Sequence, residues 1–237
     1  MCTVTYFPLN EKIIFTSNRD EKPHRAAQML FSEISNNTKV YFPKDAEKNG
    51  TWFVVSENGN TIVLLNGAFE NHEKKTPYRK SRGLIVLDLI FDENLFSAVQ
   101  NIDLQNIEPF TLILMEGKKI AEFRWSGSQK YFKFLDPDLP YIWSSATLYN
   151  QYAQEKRVQI FQQFLQKDTI SQDEIWNFHH QKTDDLENGI TIKRENTVQT
   201  ISTTQVVISH DITIQHSDRL QHHQKIQKIS LKNEFKI

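Results

Sequence analysis

Two periodicities, and the order in which they alternate, limit what this chain can fold into. Runs of β-branched and aromatic residues, separated by tight turns, occupy the start, the middle and the end; helical spacing interrupts them twice. Thr3 to Phe7 reads as a strand, Pro8-Leu9-Asn10-Glu11 as a turn, and Lys12 to Thr16 as a second strand that delivers Ser17-Asn18-Arg19-Asp20 at its far end. An antiparallel hairpin with this turn puts position 18 or so opposite the chain's start. Cys2 and the Asn18-Arg19-Asp20 group are therefore expected side by side at one sheet end. Residues 21–44 are polar, carry Pro23 and Asn36-Asn37, and read as loop with short strand pieces.

Trp52 to Ser56 and Thr61 to Leu65 flank Glu57-Asn58-Gly59-Asn60, and Asn-Gly between β-rich runs is a strong hairpin signal. The second of these strands ends at Asn66-Gly67, and a polar segment from His72 to Arg82 follows. Its basic residues, Lys74 onward, read as a solvated loop or as the mouth of a site for an anionic ligand. Gly83 to Phe91 and Leu95 to Val99 are helical, with Leu84, Leu87, Ile90 and Phe91 on one face. Strands return at Phe110–Met115, Lys119–Trp125, Lys130–Leu135 and Tyr141–Ser145. Gln151 to Gln166 is a helix with Val158, Phe161, Phe164 and Leu165 toward the core. Ser171 followed by Glu174 forms a capping-box pattern that starts a short helix over 172–179. Residues 183–193 read as loop, and 197–209, 212–216 and 224–231 as late strands. Hairpins dominate and no βαβ alternation occurs, so the expected class is α+β, with two mainly antiparallel sheets and helices packed outside them. No repeat or flexible linker divides the chain, and residues 1–237 are expected to form one domain.

Cys2 is the only cysteine. If the initiator Met is removed, one residue carries both a thiol, with a reference pKa of about 8.5, and an α-amino group of about 7.7–8.0. Near neutral pH part of that amine is unprotonated and can accept the thiol proton, which activates the nucleophile. The plain alternative is a small buried hydrophobe.

Composition removes other classes. The 28 Lys+Arg residues nearly balance 29 Asp+Glu, for a formal net charge of −1, which argues against nucleic acid or an anionic membrane as partner. A lone cysteine makes no intrachain disulfide and fits a reducing compartment; with no signal-like segment, a cytoplasmic location is expected. The apolar run from Gly83 to Phe91 is far short of the ~20 residues that span a bilayer. The eight histidines make no tight ligand spacing, so no metal is expected, and no Gly-rich phosphate loop or other cofactor motif is present.

Cys2 together with Ser17-Asn18-Arg19-Asp20-Glu21 resembles the NRDE family, also called the Transport and Golgi Organisation protein 2 family. Asn49-Gly50-Thr51-Trp52 resembles that family's Gly-Thr-Trp turn, and Leu64-Leu65-Asn66 its strand ending in Asn. The family is similar to the cysteine branch of the N-terminal nucleophile hydrolases, which contains penicillin V acylases, bile salt hydrolases and acid ceramidase-like enzymes. The resemblance implies a four-layer αββα sandwich, with Cys2 as nucleophile acting on a linear amide or acyl bond. By position it makes Arg19 or Asp20 the group that orients thiol and amine and Asn66 an oxyanion donor; Asn18, next to Arg19, is the candidate substrate contact.

Two positions depart from the acylase pattern. The acylases carry a second Asn after a later strand, where this chain has Trp143-Ser144-Ser145-Ala146 and, further on, Asn150. They also carry a late Arg, where this chain has Thr200-Ile201-Ser202-Thr203-Thr204. A second implied reading therefore stands beside the hydrolase: a carrier on the same fold for a haem-like or lipid ligand, with Cys2 as a thiolate contact. The residues alone leave Thr51 and Trp52 as hairpin packing. They leave Asn18 and Asn66 open between turn capping and site roles, and Arg19 with Asp20 open between a site and a turn ion pair.

Overall fold

The computed structural model describes residues 2–75, 77–182, 184–195 and 197–232, without the side chains of Cys2 and Gln28. Among these residues the chain forms the strands β1 Cys2–Leu9, β2 Lys12–Glu21, β3 Ala27–Ser35, β4 Thr38–Asp45, β5 Phe53–Ser56, β6 Thr61–Asn66, β7 Phe110–Glu116, β8 Lys119–Trp125, β9 Lys130–Leu135, β10 Tyr141–Ser144, β11 Gln199–Ile208, β12 Asp211–Asp218 and β13 His223–Ser230. The helices are α1 Arg82–Ile90, α2 Leu95–Asn101, α3 Gln151–Phe164 and α4 Gln172–His180. One sheet has the order β10-β1-β2-β11-β12-β13; the other is a seven-stranded meander from β3 to β9. Every strand pairing is antiparallel.

Strand alternation sorts the six-stranded sheet into two faces. Val4, Tyr6, Ile13, Phe15, Val206, Ile208, Ile212 and Ile214 join the main core, which continues through the meander to α1 and α2. Phe7, Ile14 and Val207 point the other way, against Phe161 and Phe164 of α3 and Ile175 and Phe178 of α4. The layers run helices, sheet, sheet, helices, as expected of an α+β αββα sandwich.

Several elements differ from expectation. Strand β2 does not stop at Thr16; it runs to Glu21, and all residues from Ile13 to Glu21 are buried. The polar region after it is not loop but the long hairpin β3–β4, turned by Asn36 and Asn37, both at positive φ (50° and 57°). Two such residues make the type I′ turn that matches strand twist. Asn10, at φ 50°, likewise permits the tight β1–β2 turn. On α3 the inward residue is Arg157, fully buried, while Val158 is 41% exposed. The Ser171–Glu174 capping box at the start of α4 is present as expected. No helix among the described residues is long and apolar enough to cross a membrane.

One backbone contact fixes where α1 begins. Thr51 N donates to Gly83 O at 3.1 Å. A Cβ on Gly83 would sit 2.8 Å from Thr51 O, and one on Gly50 would sit 2.5 Å from Gly83 C. Both neighbours are backbone and cannot swing aside. Ala is ordinarily better than Gly in a helix by about 0.5–1 kcal/mol. Here Gly83→Ala is expected to destabilise the fold, by on the order of 1–3 kcal/mol from overpacking. Urea unfolding measures this; an unchanged or higher midpoint would show that the contact yields without cost.

Candidate active site

Strand β2 runs through the centre of its sheet, between β1 and β11. Its alternation sends Arg19 and Glu21 to one face and Asn18 and Asp20 to the other. The four consecutive residues of the Asn18-Arg19-Asp20-Glu21 motif thus serve two different environments.

On the inter-sheet face, Arg19 opposes Cys2 on β1 and Ser202 on β11, and Ser202 opposes Asp218 on β12. The register positions of Cys2, Arg19, Ser202 and Asp218 therefore form one row across the sheet. Arg19 is 3% exposed. Its Nη2 lies 2.5 Å from Asp45 Oδ2, and its guanidinium carbon lies 4.0 Å from the centre of the Trp52 ring. Its Nη1 donates to Arg25 O at 2.8 Å. Arg25 in turn pairs with Glu21 at 2.7 Å and with Asp45 at 2.6 Å. Burial alone would raise Glu21 and Asp45; backbone amide donors and the charges of Arg25 and Arg19 outweigh it and hold both below the usual carboxylate range. Two cations and two carboxylates thus form one ionised cluster.

That cluster is the floor of a cleft of about 500 Å³. Its wall includes Thr51, Trp52 and Asn66, and on the far side Tyr78, Arg82 and Glu108. Asn66 is the last residue of β6. Its carbonyl accepts from Ser145 Oγ at 2.8 Å, and among the described residues no hydrogen bond engages its side-chain amide. Asn150 is occupied elsewhere, because its Oδ1 accepts from Ala153 N at 3.0 Å as the N-cap of α3.

On the opposite face, Asp20 is fully buried. It accepts from Tyr149 Oη and from Thr200 Oγ1, each at 2.5 Å. Arg157 stacks on the Tyr149 ring at 3.2 Å and donates from Nε and Nη2 to Gly189 O at 3.0 and 2.6 Å. Burial pushes the Asp20 carboxyl up, against the charge of Arg157 and the two hydroxyl donors. Burial and the neighbouring Asp20 push the Tyr149 phenol far up, so it remains a donor. Asn18 donates to His179 O and Ile190 O at 2.9 and 3.1 Å and accepts from Thr203 Oγ1 at 2.9 Å. Of the expected site residues, then, Arg19 and Asn66 line the cleft, Cys2 is paired with Arg19 through the backbone, and Asn18 and Asp20 lie behind the sheet. Arg19 and Asp20 are not one ion pair. Trp52, read as packing, is the surface on which Arg19 rests.

Sequence reading missed Asp45, Tyr149, Arg157, Ser202 and His216. His216 Nδ1 lies 2.8 Å from Thr204 Oγ1, and its ring lies 6.3 Å from Trp52. The hydroxyl of Ser202 and Nε2 of His216 are buried without a hydrogen-bond partner among the described residues. Among the described residues no His, Cys, Asp or Glu cluster is arranged to hold a metal.

The family model of Transport and Golgi organisation 2 matches residues 1–231, and the chain belongs to that family. No curated protein sequence matches it. Among solved structures it is similar to a Caenorhabditis elegans N-acylethanolamine-hydrolyzing acid amidase ortholog, with a TM-score of 0.60 at 12% identity, over 86% of this chain and 92% of that one. It is also similar to a variant of the conjugated bile acid hydrolase from Clostridium perfringens, with a TM-score of 0.59 at 10% identity, over 99% of this chain and 94% of that one. A second variant of that hydrolase gives a TM-score of 0.53 at 10% identity, over 96% of both chains. The chain shares the fold of these enzymes.

Two predictions follow from the buried groups behind and beside the cleft. Tyr149→Phe removes one donor from a buried carboxyl and is expected to cost about 1–3 kcal/mol, read by urea unfolding; a loss below a few tenths would mean that Thr200 and Arg157 suffice. The second concerns pH. Burial, with the nearby charges of His180 and Arg219, pushes His179 down to about 3. Burial also pushes His216 down to about 4, against the pull of Asp218. Both values lie below the unfolded value of about 6.5, so the unfolded chain binds more protons as pH falls. The stability held by neutral histidines is complete above that value and is lost below it, by on the order of 2 kcal/mol per histidine between pH 7 and 5. Unfolding free energies at pH 7, 6 and 5 measure the slope; His216→Asn is expected to reduce it, and an unchanged slope would exclude His216 as a contributor.

Proposed function

We propose that this protein is an N-terminal cysteine hydrolase acting on a linear amide or acyl bond, with Cys2 as nucleophile after removal of Met1. The observation that carries this reading is the backbone pairing of Cys2 with Arg19, whose side chain lies in a cleft that Asn66 also lines. The shared fold of hydrolases that act on amides adds support.

In this mechanism the Cys2 thiol gives its proton to its own α-amine, and the thiolate attacks the substrate carbonyl. The Asn66 amide donates to the oxyanion that forms. The intermediate collapses to a thioester as the C–N or C–O bond breaks, and the α-ammonium returns the proton to the leaving group. Water, deprotonated by the same amine, then attacks the thioester; the acid leaves and the thiol is restored. Arg19, held by Asp45 and Trp52, supplies positive charge beside the nucleophile and favours its thiolate. Asp20 and Asn18 act from behind the sheet: their bonds to Tyr149, Thr200, His179 O and Ile190 O keep the end of β2 at its register.

Intact mass of the protein after brief exposure to an activated acyl ester tests the reading. The expected result is a protein lacking Met1 that carries one acyl group, with the label absent from Cys2→Ala. Cys2→Ala is expected to lose all turnover while keeping its unfolding midpoint, and Asn66→Ala to lower kcat by about 10²–10³-fold. Turnover retained in Cys2→Ala would overturn it.

A further inference from the structure

The cleft carries a charge that the chain as a whole does not. The chain's formal net charge is −1, yet six cationic side chains and only three carboxylates line this one cavity. Each carboxylate already has an arginine. Asp45 holds Arg19, and Glu21 holds Arg25, at 2.5 and 2.7 Å. Glu108 holds Arg82 at 3.0 Å. The excess positive charge therefore belongs to the lysines at the rim. Lys80 reaches out of the cleft to Asp88. Lys48, from the loop after β4, and Lys74, from the connector before α1, are exposed and approach the cleft from separate segments of the chain. No ion pair engages either ammonium among the described residues.

The start of α1 adds to this field. Ser81, Arg82 and Gly83 line the cleft. The first turn of α1 holds no acidic residue, and the Ser81 hydroxyl does not cap it. The helix thus directs the positive end of its dipole toward the same space as the lysines. A concave site with one sign of charge concentrates ligands of the other sign. Trp52 and Tyr78 supply apolar surface between the charges.

We propose that this cleft selects anionic acyl conjugates: substrates whose group attached to the scissile carbonyl carries a sulfonate, carboxylate or phosphate that Lys48, Lys74 and the α1 N-terminus receive. The proposal deepens the hydrolase reading and rests on it for the position of the carbonyl. It differs from that reading in what it requires, because charge selection is a property of binding and needs no turnover.

The test uses full-length Cys2→Ala protein and two ligands with one acyl chain, N-octanoyltaurine and N-octanoylethanolamine, which differ by a sulfonate against a hydroxyl. Calorimetry is expected to give about tenfold tighter binding of the taurine conjugate at low salt. The preference is expected to shrink to about threefold or less at about 0.5 M salt. The double variant Lys48→Gln, Lys74→Gln is expected to shrink it to the same extent, with binding of the ethanolamine conjugate unchanged. Equal binding of the two ligands, binding of neither, or a preference untouched by the lysine changes would overturn the proposal. Turnover of both conjugates by the protein with Cys2 intact is read separately. Selective binding without turnover removes the hydrolase reading and keeps the anion site; turnover without selectivity does the reverse.

Discussion

The buried contact of Arg19 with Asp45 and Trp52 is the point on which the arrangement of the cleft depends. Arg19 belongs to one sheet; Asp45 ends β4 of the other, and Trp52 directly precedes β5. A guanidinium at 3% exposure has given up most of its hydration, which costs several kcal/mol unless opposite charge and good geometry replace it. The Asp45 carboxylate at 2.5 Å and the indole face at 4.0 Å provide that replacement from across the sandwich. The same contact that neutralises the charge also ties the two sheets together where β2 and β4 end. Asp45 itself is held by the backbone amides of Glu47 and Lys48, at 3.0 and 2.9 Å. The turn carrying Lys48 is thus tied to the arginine next to Cys2, and the rim of the cleft is registered to its floor.

The rear face of β2 solves a different problem. Among the described residues no arginine lies within salt-bridge distance of Asp20; hydroxyls of Tyr149 and Thr200 meet its two oxygens, and Arg157 acts on it through the field. Hydroxyl donors satisfy the two oxygens directly, without a charged group in contact with them. Arg157 is buried too, but it directs Nε and Nη2 to Gly189 O and its flat face to Tyr149, so that Tyr149 bridges cation and carboxyl. Residues 189–192 are drawn into the same assembly, since Thr200 accepts from Ile192 N and Asn18 donates to Ile190 O. The helix layer and its connector are thereby bonded to the strand that carries Arg19.

How much of this the sequence reveals depends on whether a signal is local. The Asn58-Gly59 turn, the Ser171–Glu174 box and the start of β1 are local, and the structure has each of them where expected. The β3–β4 hairpin is hidden because Asn36 and Asn37 turn it without a Gly, and because one of its faces is polar. The length of β2 is hidden because Ser17, Asn18, Arg19, Asp20 and Glu21 are poor strand formers by composition. The backbones of Ser17, Asn18 and Arg19 pair on both sides, and the side chains of Asn18, Arg19 and Asp20 find partners 26 to 185 positions away, which no short window can display. Arg157 is the same case on a helix: hydropathy chooses Val158, while the Asp20–Tyr149 cluster pulls the charged neighbour inward. The side-by-side placement of Cys2 and Arg19 was legible, because hairpin register follows from strand and turn lengths. The assignment of Asp20 to the opposite face was not, because it requires knowing that the motif lies inside a strand.

That last point changes what the motif means. In a loop, Asn-Arg-Asp-Glu could converge on one ligand. In a strand it cannot, because successive side chains are directed about 180° apart. Read with alternation, Arg19 and Glu21 belong with Cys2's row and the cleft, and Asn18 and Asp20 belong with α3, α4 and the 189–192 connector. The motif is then a splice between a face that borders the cleft and one that packs against the helix layer. Ser202 and Thr200 repeat this division on β11, where the register shift between them preserves the pairing of Thr200 with Asp20 and of Ser202 with Arg19. The β-bulge at Ile201 takes up one extra residue, so that Thr200 and Ser202, two apart in sequence, meet the adjacent Asp20 and Arg19 on opposite faces as neighbours in an unbroken ladder would.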